Sequence, residues 1–187
     1  MRYVAVICLF LTGCWGVVKD EDEARFKNQL GSTTIAVYPA VVRDLGPTVN
    51  TTWDERSADE IAAWLNQNGF GKAVVAREKP PIAAEAGMNQ AKMFRSSILS
   101  FGKWIKATPP AAEYACVAEY LMMRNGTVGG VHVYFVRSDG TPVFGTLSNS
   151  HWKEFKKVKP VSVRDANQVA LGSLERRMLS KRFLGKR

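Results

Sequence analysis

Two histidines and one mid-chain cysteine are the side chains of this sequence with the widest chemical repertoire. His132 stands in the run Val131-His132-Val133-Tyr134-Phe135, whose alternation puts the imidazole on the face opposite the two valines. No cysteine or second histidine follows it at a metal-ligand spacing, so it reads as a half-exposed or hydrogen-bonded strand histidine, and no metal is expected. Ser150 and His151 are immediate neighbours, and adjacent side chains on a helix do not face each other. They therefore imply no nucleophile–base pair, and the Gly-x-Ser-x-Gly turn of a hydrolase is missing. Gly69-Phe70-Gly71-Lys72 holds a fragment of a phosphate loop, but the glycines close a helical pattern instead of opening one. A helix C-terminal turn accounts for them better. Cys116 lies inside the apolar run Tyr114-Ala115-Cys116-Val117-Ala118 and reads as a buried, inert thiol. No catalytic residue and no cofactor is assigned from these patterns.

Charge gives a stronger signal than any of these. The chain carries 26 Lys and Arg against 17 Asp and Glu, a net charge of +9. From His151 to Arg187 the balance is 11 to 3, so nearly all of the excess sits in the last fifth of the sequence. Lys153, Lys156 and Lys157, followed by Arg176, Arg177, Lys181 and Arg182, are the candidates for contact with an anionic surface. One reading is a solvated helix whose late cations oppose its dipole. Another is attraction to anionic lipid headgroups, at roughly 1 kcal/mol per basic residue near such a surface. Nucleic acid would feel the same field, but Phe183 alone is a thin stacking platform, so it is the less favoured partner.

At the other end, Met1-Arg2-Tyr3 precedes the eight apolar residues Val4 to Leu11, then Thr12-Gly13-Cys14. A positive start, a short apolar run and small residues form the layout of a secretory signal. The run is far short of the roughly 20 residues that span a bilayer. Leu11-Thr12-Gly13-Cys14 resembles the lipobox of bacterial lipoproteins. That resemblance implies cleavage after Gly13, a thioether-linked diacylglycerol on Cys14, and a further acyl chain on the new amino terminus. Two or three chains anchor a protein firmly where one holds only marginally. The competing reading makes Tyr3–Leu11 a buried first strand of a cytosolic protein. On the lipoprotein reading, residues 1–13 are a signal peptide, 14–31 a polar lipidated tether and 32–187 one domain. The site of action is then a bacterial membrane facing the periplasm or exterior, with inner against outer membrane left open.

The elements that would position these residues follow from periodicity. Thr33–Tyr38 reads as a strand stopped by Pro39, then a loop through Gly46-Pro47 and Asn50-Thr51-Thr52. Ser57-Ala58-Asp59-Glu60 reads as a capping box before a helix bearing Ile61, Trp64 and Leu65, with Gly69 past its end. A short strand at 73–76 precedes a helix over 89–108, striped by Phe94, Ile98, Phe101 and Ile105. Strands over 113–123, 130–137 and 142–147 form a meander about the Asn125-Gly126 turn. A short helix starts near Asn149, and a last one is capped by Asp165 and striped by Leu171, Leu174 and Met178. The order β-α-β-α-β-β-β-α-α predicts a single α/β (α+β) domain: a mixed sheet of about five strands, packed by two to four helices.

Ile35-Ala36-Val37-Tyr38-Pro39, the helix Ala58–Leu65 leading to Asn68-Gly69-Phe70, and the late Ser138-Asp139-Gly140 turn complete a pattern with the lipobox. Over roughly residues 33–147 it resembles the periplasmic lipoprotein domains of the penicillin-binding-protein activators, the curli-secretion lipoprotein and the N-terminal domain of the Tol translocation protein. The resemblance implies a non-enzymatic scaffold that binds another envelope protein. The basic C-terminal helix has no counterpart in that pattern. Two rivals stay open: a hydrolase or ligand-binding enzyme with a pocket between loops 77–88 and 148–153, and a cytosolic nucleic-acid binder using 151–187.

Overall fold

The structure, a computed structural model, describes residues 16–45, 50–83 and 89–180. Its class is the one the sequence predicts, a mixed α/β domain. The described residues form seven strands and five helices, more than the periodicity reveals. The strands are β1 (Thr34–Val37), β2 (Ala40–Asp44), β3 (Asn50–Asp54), β4 (Lys72–Val75), β5 (Tyr114–Met122), β6 (Val128–Arg137) and β7 (Pro142–Ser148). The helices are α1 (Asp20–Gln29), α2 (Glu55–Gln67), α3 (Gln90–Ala107), α4 (Lys153–Val158) and α5 (Val163–Met178).

Strand β5 is the axis of the sheet. On one side it pairs antiparallel with β6, which pairs antiparallel with β7. On the other side it pairs in parallel with β1 and, further along, with β2. Thus β1 and β2 lie end to end beside one long strand. Beyond them β4 adds in parallel to β1, and β3 adds antiparallel to β2. The stretch expected to be a loop after Pro39 is therefore a hairpin arm, and the sheet has seven strands in five rows. Polar Asn50-Thr51-Thr52 hid β3, because an edge strand need not alternate apolar and polar residues.

The join between β1 and β2 decides the geometry of everything below. Val37 stands beside Cys116 and Val41 beside Glu119, so four residues advance on one strand against three on β5. The extra residue is a bulge at Tyr38-Pro39, where proline has no N–H to lose from the ladder. Its effect is a change of face. Ile35 and Val37 point into the core under α1, α2 and α5, whereas Val41 points into the core under α3. Odd-numbered residues have exchanged sides across Pro39.

Helices cover both faces. On one, α2 supplies Ile61 and Leu65, and α5 supplies Val169, Ala170, Leu174 and Met178. On the other, the predicted stripe Phe94, Ile98, Phe101 and Ile105 of α3 is buried. Close approach of α3 to the β6–β7 turn requires glycine at two positions. A Cβ on Gly102 would lie 2.3 Å from the Gly140 carbonyl oxygen, and one on Gly140, at φ 85°, would lie 2.2 Å from that of Gly102.

Two further differences concern helix starts. Residues 14–31 are not a free tether throughout: from Asp20 the chain is helical and docked. Four acidic residues in the first turn favour the helix dipole, and Phe26 is completely buried. Its ring lies 4.9 Å from Tyr114, 5.3 Å from Phe135 and 5.9 Å from Phe144. One buried aromatic in an acidic segment leaves too weak a periodic signal to be read in advance. Helix α2 is capped by Asp54 rather than Ser57, the carboxylate accepting the Ser57 N–H at 2.9 Å. Likewise Ser162 caps α5, and Asp165 returns the contact as the third helical residue.

Phe26→Ala should cost about 3–5 kcal/mol in urea unfolding if α1 is an integral part of the domain. A change below roughly 1 kcal/mol would mean that α1 is a dispensable appendage.

Candidate functional site

The face change at Pro39 brings Arg43 to the α3 side of the sheet, where β5 presents Glu119 and β6 presents His132 and Tyr134. Glu119 and His132 are direct cross-strand partners, and Tyr134 follows His132 on the same face. Ser97 of α3 closes the group from above. All five side chains are buried, with relative exposures of 2% or less.

Glu119 is the hub. Its Oε1 accepts from Arg43 Nε, and from Ser97 Oγ at 3.0 Å. Its Oε2 accepts from the Tyr134 hydroxyl and lies 3.0 Å from His132 Nδ1. The guanidinium also donates through a terminal nitrogen to the Ile82 carbonyl at 2.6 Å, which ties the segment before residue 84 over the sheet. Trp53 Nε1 holds the same segment through the Pro80 carbonyl at 3.2 Å.

The electrostatics fix the protonation of the hub. Burial alone would push the Glu119 carboxyl upward, but contact with His132, the Arg43 guanidinium and the Tyr134 hydroxyl overrides it and holds it at about 2. An ionised carboxylate has no proton to give, so the tautomer of His132 that suits it carries the hydrogen on Nδ1, 3.0 Å from Oε2 and 2.8 Å from the Tyr134 hydroxyl oxygen. Tyr134 is pushed well above its ordinary range, first by burial and then by the neighbouring carboxylate, so it stays a neutral donor. His132 Nε2 is buried and has no hydrogen-bond partner among the described residues. The Phe94 ring stands edge-on to the imidazole, 5.5 Å between centroids.

In chemical terms, a carboxylate holding Nδ1–H is the arrangement that orients a histidine base. Among the described residues no serine, threonine or cysteine hydroxyl or thiol reaches Nε2. Cys116 faces the opposite core, and burial pushes its thiol up, as expected of an inert buried cysteine. Among the described residues no group of three or more His, Cys, Asp or Glu is placed to hold a metal ion. The second histidine, His151, is exposed, and its backbone N–H donates to Asn149 Oδ1 at 3.0 Å. Gly69, at φ 68°, follows the end of α2 as a C-terminal turn residue.

The residues singled out by charge fall into three groups. Cys14, Lys181 and Arg182 lie outside the described residues. Lys153, Lys156 and Lys157 are exposed on α4, opposite its buried Phe155. Arg176 and Arg177 are tied inward. Arg176 meets Glu154 at 2.6 Å and stacks on the Trp152 ring at 4.4 Å. Arg177 lies 3.8 Å from Glu23 and 5.5 Å from the centre of the Phe144 ring. Sequence patterns do not single out Arg43, Glu119 or Ser97. The available signal is a charge directly following or inside an apolar run, Val41-Val42-Arg43 and Val117-Ala118-Glu119-Tyr120-Leu121. A charge that cannot turn outward must find its opposite inside.

Glu119→Gln should destabilise the fold by about 3–5 kcal/mol, because it leaves the Arg43 guanidinium buried without its counter-ion. Adding Arg43→Met should restore part of that loss in a double-mutant cycle. The depressed Glu119 carboxyl also sets a pH dependence. Its contribution is complete above the ordinary carboxylate range and fades as the pH falls through it toward about 2, because the folded-state carboxyl is held below its unfolded value. The Gln variant should lack this acid-sensitive component in unfolding titrations over that range.

No known protein family matches the chain by sequence, and neither does any curated protein.

Proposed function

We propose that this protein is a membrane-anchored envelope lipoprotein, acylated on Cys14, whose folded domain works as a non-enzymatic module that binds another envelope protein. The observation that carries the binding role over a catalytic one is the use made of the convergent ionisable groups. The Glu119 oxygens are saturated by Arg43, Ser97, His132 and Tyr134, all within the packed interior between the sheet and α3. Such a network rigidifies the sheet and specifies its register, leaving recognition to surfaces. The ordered start of α1 fits an anchor placed shortly before it, since Val18 is already buried against the α3 core. Among the described residues no helix is long and apolar enough to cross a membrane.

A second reading has one observation in its favour: the unpartnered Nε2 of His132, held by a carboxylate at Nδ1 as a general base would be. It requires substrate to reach that nitrogen past Phe94 and the Pro80–Ile82 segment.

Mass spectrometry of native protein should find an acylated chain beginning at residue 14, and Cys14→Ala should release the protein from membranes. A soluble chain retaining Met1 overturns the anchor. Cross-linking in intact envelopes should capture a reproducible protein partner, and recovery of none above background sinks the binding role. Diethylpyrocarbonate separates the two readings, because the chain has only two histidines. Only His151 should react in the folded protein; rapid modification of His132 would favour the second reading.

A further inference from the structure

We propose that the lysine face of α4, with Trp152 at its edge, is a docking surface for anionic lipid headgroups. The inference rests on the membrane-anchored reading only in supplying the surface that the helix would meet. Within α4, Lys153, Lys156 and Lys157 fall at i, i+3 and i+4, so their side chains share one face. All three are exposed, and none makes an ion pair among the described residues. Phe155, on the opposite side, is buried and fixes the helix to the domain with that face outward. Lys159, directly after the helix, is exposed as well.

What singles out this patch is the disposal of its one acid. Glu154 would cancel part of the charge, but it is turned away into the 2.6 Å ion pair with Arg176. Arg176 thereby leaves the surface pool of cations, and the α4 lysines keep an uncompensated positive field. The same guanidinium stacks on Trp152 at 4.4 Å. Trp152, the residue that precedes Lys153, is braced there and still 41% exposed. An indole held at a domain surface beside lysines matches the headgroup region of a bilayer, where its apolar body and polar N–H are both accommodated. Two residues past Lys159, Val161 is 65% exposed and adds apolar area to the same stretch of chain. Nucleic acid is less well suited, since one aromatic braced by an arginine offers no succession of stacking platforms.

The test uses full-length Cys14→Ala protein, so acylation plays no part and failure of the anchor leaves the result unaffected. Its co-sedimentation is compared on vesicles of phosphatidylcholine alone and of equal parts phosphatidylcholine and phosphatidylglycerol. Binding should be markedly tighter on the anionic vesicles and should weaken as salt is raised. At roughly fivefold per lysine, Lys153→Gln with Lys156→Gln and Lys157→Gln should weaken it about a hundredfold. Trp152→Ala should reduce binding while leaving the salt dependence in place. Equal affinity for the two vesicle types, or an unchanged triple variant, would overturn the proposal. So would tighter binding to duplex DNA at the same salt, lost in the same variants, which would assign the face to nucleic acid.

Discussion

A single carboxylate buried between the sheet and α3 constrains more of this molecule than any other group. Glu119 takes donors from two neighbouring strands, β2 and β6, and from helix α3. An ionised group in that position is tolerable only if its partners arrive together and with good geometry. The strand order β2-β5-β6, the position of α3 and the path of the chain over Ile82 are therefore mutually dependent. Sliding any one strand by a residue would send its side chains to the other face and strand a charge in the core. The bulge at Pro39 belongs to the same constraint, because it sets the phase that lets Arg43 meet Glu119.

The opposite face of the sheet is held differently. There α1, α2 and α5 pack apolar and aromatic surface, and the few polar groups are tied in short chains. The Tyr120 hydroxyl donates to Asn167 at 2.8 Å, and the Asn167 amide donates to Glu60 at 2.5 Å, linking β5 to α5 and α2. Ser148 and Ser173 stand 2.6 Å apart between β7 and α5. The open edge at β4 is guarded by Asn66 of α2. Its side chain accepts the Ala73 N–H at 2.9 Å and donates to the Ala73 carbonyl at 3.0 Å, occupying the place of another strand. The polar contacts on this side fasten helices to strands and to each other, whereas the Glu119 network fastens β2, β5 and β6 to one another and to α3.

The basic end of the sequence divides in the same spirit. Arg176 and Arg177 lie on the last turn of α5, but their guanidinium groups close gaps between elements, one against Glu154 and Trp152, the other against Glu23 and Phe144. The lysines of α4 lie on the side opposite its buried Phe155 and remain at the surface. Guanidinium suits such half-buried ties between elements because it is planar, permanently charged and less strongly hydrated than an ammonium group. Net charge alone would have weighed all these cations equally.

The sequence by itself determined the elements whose signal is local. The stripe of α3, the apolar run of β5, the hairpin about Asn125-Gly126 and the burial of Cys116 could each be read from a few neighbouring residues. The α/β class followed from their order. Tertiary structure alone decided that Asp20–Gln29 is a helix, because its ties to the sheet are one buried ring, Phe26, and long-range contacts of Gln29 with Tyr114 and of Asp22 with Arg137. It alone decided that Ala40–Asp44 and Asn50–Asp54 are strands, because a bulged join and a polar edge carry no period of their own. The partnership of Arg43 with Glu119 spans 76 residues of sequence. Spacing says nothing about such a pair. What joins them is a strand register, and a register exists only once the sheet has formed.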